Sequence, residues 1–348
     1  GIVIATRRKP ALAPGFKSTE SEQQQINEIS RRLFDGATAK GHLVADEKTL
    51  GAKLNSLFQP DVAFSSGKAD LGFIHRRTPE AEIYFIANTS STKQQVKATF
   101  RVKGLNPEIW DTFTGRVSPV IIQGNEAGGF MTLLDLAPYD SRVIVFTKRT
   151  LPGEASLFAL NSSGTPIDLS NGWRVSFGEK GQPTSINDLR SWTENEETLY
   201  YSGTATYEKE FTFPENLLTP GRSAVLDFGE GQAIEPTRLT NGMRAWYEGP
   251  VREAAVVYIN GERAGSVWRP PYRLDIAKFL KPGQNQIKVI VGNTAINHMA
   301  GRKLPDYKLL ILRYGDRFQP QDMDKVKPLP SGLTGKIQLI VTPKRLLQ

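Results

Sequence analysis

The chain has 348 residues, a formal net charge of +8, 39% hydrophobic residues, 31 glycines, 22 prolines and no cysteine. At about 100–200 residues per domain this length calls for two or three cores, and the composition is that of a globular chain with more strand than helix. Disulfides and thiolate chemistry are excluded, His42, His75 and His298 fall short of a conventional zinc site, and no apolar run approaches the roughly 20 residues of a membrane span.

The chain opens on GIVIATRRKPALAPG, an apolar strand running into a loop punctuated by proline and glycine. Thr19 and Glu22 stand at the spacing of a capping box, which predicts a helix with Ile26, Ile29, Leu33 and Phe34 on one face. A second helix is expected from near Asp46, with Leu50, Leu54, Leu57 and Phe58 inward, stopping before Pro60. Strand, helix, helix reads as the tail of a larger α/β unit, because so short a segment cannot cover both faces of a parallel sheet.

From about Leu71 to Lys148 the period becomes two. The runs EIYFIAN, VKATFRV, EIWDTFTGRV, FMTLLDL and SRVIVF are bounded by turn residues, with Val96, Ala98, Phe100 and Val102 on one side, and predict a small antiparallel β-sandwich. Trp110 in that sheet reads as core or inter-domain packing. Leu151 to Ser156 reads as a linker around a Pro-Gly pair. Beyond it TYEKEFTF, AVLDFG, AVVYIN, YRLDI, NQIKVIVGN and KIQLIV have the length of sandwich or jelly-roll strands. Asn260-Gly261 fits a type I′ hairpin turn after the β-branched and aromatic run Val256 to Ile259, and Asp275 to Leu280 fits one helical turn.

Three loop segments carry flat aromatic and planar polar side chains. They hold Trp246 and Tyr247; Trp268, Arg269 and Tyr272 around the stiff Pro270-Pro271 pair; and Asn293, Asn297, His298 and Arg302. Converging at one end of a sandwich, they would suit a carbohydrate, since aromatic faces pack on the C–H faces of sugar rings while planar groups fix hydroxyls. Each has a plainer reading. Trp268 and Tyr272 would then cover the core, Trp246 would pack on a neighbouring domain, His298 would be a satisfied loop histidine, and Arg269 would form a surface ion pair worth under about 1 kcal/mol.

The order YYSGTATYEKEF, LDFG, VYINGERAG, YRLDIAKFLKPGQNQIKVIVGN and SGLTGKIQL, from Tyr200 to Leu339, resembles the galactose-binding-like, sugar-binding jelly roll of family 2 glycoside hydrolases. Upstream, IATRRKPALAPG, IHRRTPEAEIYFIANTS and PEIWDTFTG look like the C-terminal half of the large α-L-rhamnosidases of glycoside hydrolase family 106. The resemblance implies a mainly β chain with two β-sandwich domains preceded by a partial α/β segment. The segment spans 1–60, the small antiparallel sandwich 61–150 and the galactose-binding-like jelly roll 151–348. It also implies that the catalytic carboxylates belong to a TIM-like barrel lying before Gly1, so that no position here inherits them.

A stand-alone hydrolase would need two carboxyl groups about 5–10 Å apart, one with a raised pKa. Glu194, Glu196, Glu197, Glu230, Glu235, Asp306, Asp322 and Asp324 fall in predicted loops, with Glu230 and Asp306 the leading pair for that alternative. A purely structural module is the other alternative. No G-x-S-x-G elbow, complete P-loop or G-x-G-x-x-G is present, and Gly229-Glu230-Gly231 lacks the third glycine. Lys and Arg are dispersed without a nucleic-acid motif, so the expected partner is carbohydrate rather than nucleic acid or membrane. A structural calcium is a family-level expectation, with no D-x-D-x-D-G loop to place it. A periplasmic or secreted location is expected, although the first residues form no signal peptide. The expected role is that of an accessory region that binds or scaffolds glycans without cleaving them.

Overall fold

The computed structural model describes residues 2–65, 70–113, 115–120, 129–151, 165–217, 222–235, 246–303, 306–315 and 326–343. The expected linker, past Leu151, lies outside these residues, as do Asp322 and Asp324. The chain is mainly β and separates into two units. One is Gly1–Ser65 with Ala98–Lys103 and Gly124–Met131; the other is Ser66–Lys97 with Gly104–Gln123 and Thr132–Gln348.

In the first unit β1 (Val3–Thr6) is followed by α1 (Glu20–Phe34) and β2 (Gly41–Val44), and β1 and β2 pair in parallel from Val3↔Gly41 to Thr6↔Val44. Thr19 caps α1 as its spacing predicts: its hydroxyl accepts from the Glu22 N–H while the Glu22 carboxylate accepts from the Thr19 N–H. Gly41 is needed where the chain leaves α1, because a Cβ there would lie 2.7 Å from the Leu33 carbonyl and 2.8 Å from the Phe34 ring. The strand between the helices corrects the strand-helix-helix reading. Four residues with a partner some 40 positions away carry too little local signal. Asp46 then caps a short 3-10 turn that leads into α2 (Leu50–Leu57), and β3 (Val62–Phe64) pairs with Ala98–Phe100.

The alternating strands that follow are β4 (Leu71–Arg77), β5 (Ala81–Asn88), β6 (Gln94–Phe100), β7 (Asn106–Trp110), β8 (Val117–Pro119), β9 (Phe130–Leu136) and β10 (Ser141–Thr147). Strands β4, β5, β10, β7 and β8 form one antiparallel sheet in that order. Period two puts Tyr84, Ile86, Val96, Leu134, Leu136, Ile144 and Phe146 inside. Trp110, expected as core or inter-domain packing, is 41% exposed. Its indole N–H is held instead by the buried Glu108 carboxylate at 3.0 Å, which also accepts from Thr147 Oγ1 and from Arg149 Nε and Nη2 at 2.8, 3.0 and 2.5 Å.

Two further sheets share one core. The strands of this region are β11 (Thr165–Asp168), β12 (Trp173–Phe177), β13 (Thr184–Ile186), β14 (Thr204–Phe213), β15 (Arg222–Asp227), β16 (Gln232–Ala233), β17 (Tyr247–Glu248), β18 (Val251–Arg252), β19 (Ala254–Ile259), β20 (Glu262–Val267), β21 (Arg273–Asp275), β22 (Gly283–Gly292), β23 (Gly332–Leu333) and β24 (Gln338–Pro343), of which β16 with β17 and β18 with β23 form two-stranded pairs of their own. The four-stranded sheet runs β11-β24-β15-β21 and the six-stranded sheet β13-β12-β14-β22-β19-β20. Leu226, Leu339 and Val341 from the first join Trp173, Tyr207, Phe213, Val257, Ile287 and Val289 from the second in a single cluster. Asn260 and Gly261 adopt φ of 51° and 86°, the two left-handed positions of a type I′ turn, joining β19 to β20 as expected.

A buried ion pair links this sandwich to the smaller sheet. Asp140, at the start of β10, has a side chain with no solvent exposure, and its Oδ1 accepts from the Ser141 N–H and from Arg269 Nη1, both at 2.8 Å. Oδ2 lies 2.5 Å from Arg142 Nη1. The Trp246 N–H adds a bond to the Tyr139 hydroxyl at 2.9 Å.

Burial acts to raise the Glu108 pKa, but the Arg149, Trp110 and Thr147 hydrogen bonds outweigh it and hold the carboxyl below its ordinary value of 4.5. Its contribution to stability is therefore full above that value and is lost as pH falls through the lowered one. Glu108→Gln is expected to lower Tm by a few degrees at pH 7, with the gap to the parent narrowing as pH falls below 4.5. Arg269→Ala leaves Asp140 with Arg142 as its cation and is expected to cost about 2 kcal/mol in urea unfolding, as for loss of a charge-assisted hydrogen bond.

Candidate functional site

A cleft of about 290 Å³ opens where the two β regions of the second unit meet. From the smaller sheet it is lined by Ser91, Lys93, Asp135, Ala137, Pro138, Asp140 and Arg142; from the sandwich by Gly229, Glu230, Gly231, Ala233, Tyr247, Pro270, Pro271, Tyr272 and Arg273. Local rules explain the placement of the sandwich side. Strand β15 ends at Asp227, whose Oδ1 accepts from the Gly229 N–H and whose Oδ2 accepts from Arg273 Nε at 2.8 Å, so the turn carrying Glu230 and the strand carrying Arg273 share one carboxylate. The Tyr247 hydroxyl accepts from the Gly231 N–H at 2.8 Å. Tyr272 lies against Gly249, where a Cβ would come within 2.1 Å of the phenol oxygen.

Burial raises the Tyr272 phenol, with Tyr247 and Glu253 adding to it, up to about 12. Burial also raises the Tyr247 phenol, helped by the nearby Glu230 charge. Both rings keep their protons at neutral pH and present an apolar body with a hydroxyl tip. On the smaller-sheet side Lys93 Nζ is 3.0 Å from Asp135 Oδ2, which also accepts from Gln95 Nε2.

Of the residues expected from the sequence, Tyr247 and Tyr272 line this cleft, and Arg269 stands behind it on Asp140. Trp268 is 54% exposed and sits 5.4 Å from the half-exposed Phe113 ring, over which the Arg269 guanidinium lies at 4.0 Å. Trp246 is half-buried, with its backbone N–H on Tyr139. Asn293 and Asn297 do not line the cleft. Asn293 accepts from the Gly203 N–H and donates to the Tyr201 carbonyl and Ser331 Oγ, while Asn297 exchanges bonds with the Leu329 backbone and donates to Ser331 Oγ. Their amides serve the fold. His298 and Arg302 are exposed beside them, and neither lines the cleft.

Of the carboxylate candidates Glu230 lines the cleft, and Asp306 does not: it is exposed and accepts from the Lys308 N–H. Lys93, Asp135, Asp140, Arg142 and Arg273 are the cleft residues that sequence reasoning missed. They reach the cleft from segments that no local motif connects. Among the described residues there is no group of three or more His, Cys, Asp or Glu side chains to fit the calcium the resemblance implied, and no helix is long and apolar enough to cross a membrane.

The model of the α-L-rhamnosidase family matches residues 1–123. Among solved structures the chain is similar to the rhamnosidase from Novosphingobium sp. PP1Y, at 26% identity and a TM-score of 0.69, over 93% of this chain and 29% of that one. A curated relative, the putative β-glucuronidase of Formosa agariphila, is 28% identical over 237 residues, which are 66% of this chain and 18% of the relative. The chain also aligns with Bifidobacterium dentium β-glucuronidase complexed with coumarin-3-O-glucuronide, at 19% identity and a TM-score of 0.34, over 53% of this chain and 31% of that one. It thus spans less than a third of the length of each of these proteins. The chain carries a rhamnosidase-like region and is related to the glycoside hydrolases.

Proposed function

We propose that this chain is a carbohydrate-recognising accessory region of a rhamnosidase-like glycoside hydrolase, one that binds or scaffolds a glycan without cleaving it. The observation that carries this reading is the cleft in which Tyr247, Tyr272 and Glu230 meet Ser91, Lys93 and Asp135. Sugar sites combine apolar ring faces with a few fixed donors and acceptors, and this lining supplies both. The exposed Trp268 and Phe113 rings, next to the Arg269 that braces the cleft, offer a second flat surface for a longer glycan.

Hydrolysis is less well supported by this geometry. A two-carboxylate mechanism needs a pair free to exchange protons with substrate and water. In the cleft Asp140 is held by two guanidinium groups and Asp135 by Lys93 and Gln95, which among the described residues leaves Glu230 as a single available carboxylate. The chain corresponds to 29% of the Novosphingobium rhamnosidase, and in our reading bond cleavage rests on parts of such a protein outside this chain.

Calorimetric or NMR titration with α-L-rhamnosyl oligosaccharides is expected to give a Kd of roughly millimolar, about −4 kcal/mol, because water competes for every hydroxyl. Tyr247→Ala and Trp268→Ala are each expected to weaken it about three- to tenfold, the range for loss of one aromatic contact. Silence toward a broad glycan array would favour a purely structural module. Turnover of aryl rhamnosides that disappears in Glu230→Gln would favour the stand-alone hydrolase.

A further inference from the structure

The charges around the cleft are unevenly satisfied. Each cationic side chain in its lining already holds a carboxylate of the protein: Lys93 holds Asp135 at 3.0 Å, Arg142 holds Asp140 at 2.5 Å, and Arg273 holds Asp227 at 2.8 Å. Asp140 and Asp227 are buried, and stripping the cation from a buried carboxylate is costly, so neither arginine can be released to an incoming anion. Glu230 is the opposite case. It lines the cleft, is exposed, and has no ion-pair partner among the described residues, and its charge is felt at the Tyr247 phenol.

Resting on the saccharide-binding reading above, we infer that the cleft selects neutral pyranosides and rejects uronides, with the Glu230 carboxylate accepting vicinal sugar hydroxyls and repelling a sugar carboxylate. An ionised carboxylate is an acceptor only, with two oxygens spaced to take two neighbouring O–H groups. Tyr247 takes the Gly231 N–H on its oxygen and keeps its own proton for a ring or hydroxyl oxygen of the ligand. Among the described residues a uronate in the same place would find each lining cation already paired and would set a second negative charge beside Glu230, which is discrimination by repulsion. The volume, about 290 Å³, lies at the lower edge of ligand sites and fits one or two sugar rings.

The test is a binding panel on the full chain at pH 7. It contains neutral glycosides, α-L-rhamnosides among them, together with uronides and the methyl ester of each uronide, which keeps the shape and removes the charge. The expected result is that the tightest ligand is neutral, that any uronide binds at least tenfold more weakly than its own ester, and that Glu230→Gln narrows this gap severalfold while weakening the neutral ligand. A uronide as the tightest ligand, or one equal to its ester, overturns the inference and leaves glycan binding standing. Failure of the whole panel to bind overturns both.

Discussion

Asp140 is a carboxylate removed from water, and such a group is tolerated only where cations and N–H donors replace its hydration. Here one cation comes from its own strand and the other from a loop about 130 residues later, so the requirement of one buried charge sets the sandwich against the smaller sheet. The same corner is tightened from within. The Asp140 carbonyl accepts from the Asn88 N–H, and the Asn88 amide donates to the Thr92 and Ala137 carbonyls, fixing the loop that carries Ser91 and Lys93. Asn88 begins an Asn-Thr-Ser triplet of the kind that receives N-linked glycans, yet it is buried with its amide committed, which leaves no room for such a modification.

On the opposite wall the shaping is done by absence of side chains. A Cβ at Gly231 would fall 2.3 Å from the Glu248 carbonyl and 2.6 Å from the Tyr247 ring, just as one at Gly249 would strike Tyr272. These two glycines let the tyrosines lie flat against backbone, with their hydroxyls sharing a region dry enough to raise both phenols. In the proposed binding role, recognition would rest on rings held by close backbone approach, a cheaper form of preorganisation than ordering long side chains on binding.

How much of this the sequence disclosed follows the range of each interaction. The Thr19–Glu22 capping box and the Asn260-Gly261 turn depend on residues within three positions of one another, and both stand as read. The alternating runs from Leu71 onward were equally legible, because period two is a local property. Strand β2 was missed, since its parallel partner lies across a helix. Trp110 was read as core or inter-domain packing because aromatic residues in strands usually are; it is 41% exposed, and a buried glutamate two residues earlier holds its N–H. The cleft itself was half visible. Tyr247 and Tyr272 stood out as loop aromatics, but the charged residues facing them are meaningful only through pairings such as Asp140 with Arg269 that no spacing encodes. Asn293 and Asn297 are planar amides that look available in sequence, but the first bonds the Gly203 and Tyr201 backbone and the Ser331 hydroxyl, and the second the Leu329 backbone and the same hydroxyl.

The order of strands in the four-stranded sheet has a consequence for how the chain comes off the ribosome. One of its two interior positions belongs to β24, the last of the sandwich strands in sequence, which zips between β11, 170 to 176 residues earlier, and β15. Until that strand emerges β11 lacks its partner in this sheet, and Leu339 and Val341 are missing from the shared core. Closure of this sheet is therefore a long-range event, of the kind that slows folding and leaves strand edges unpaired until late.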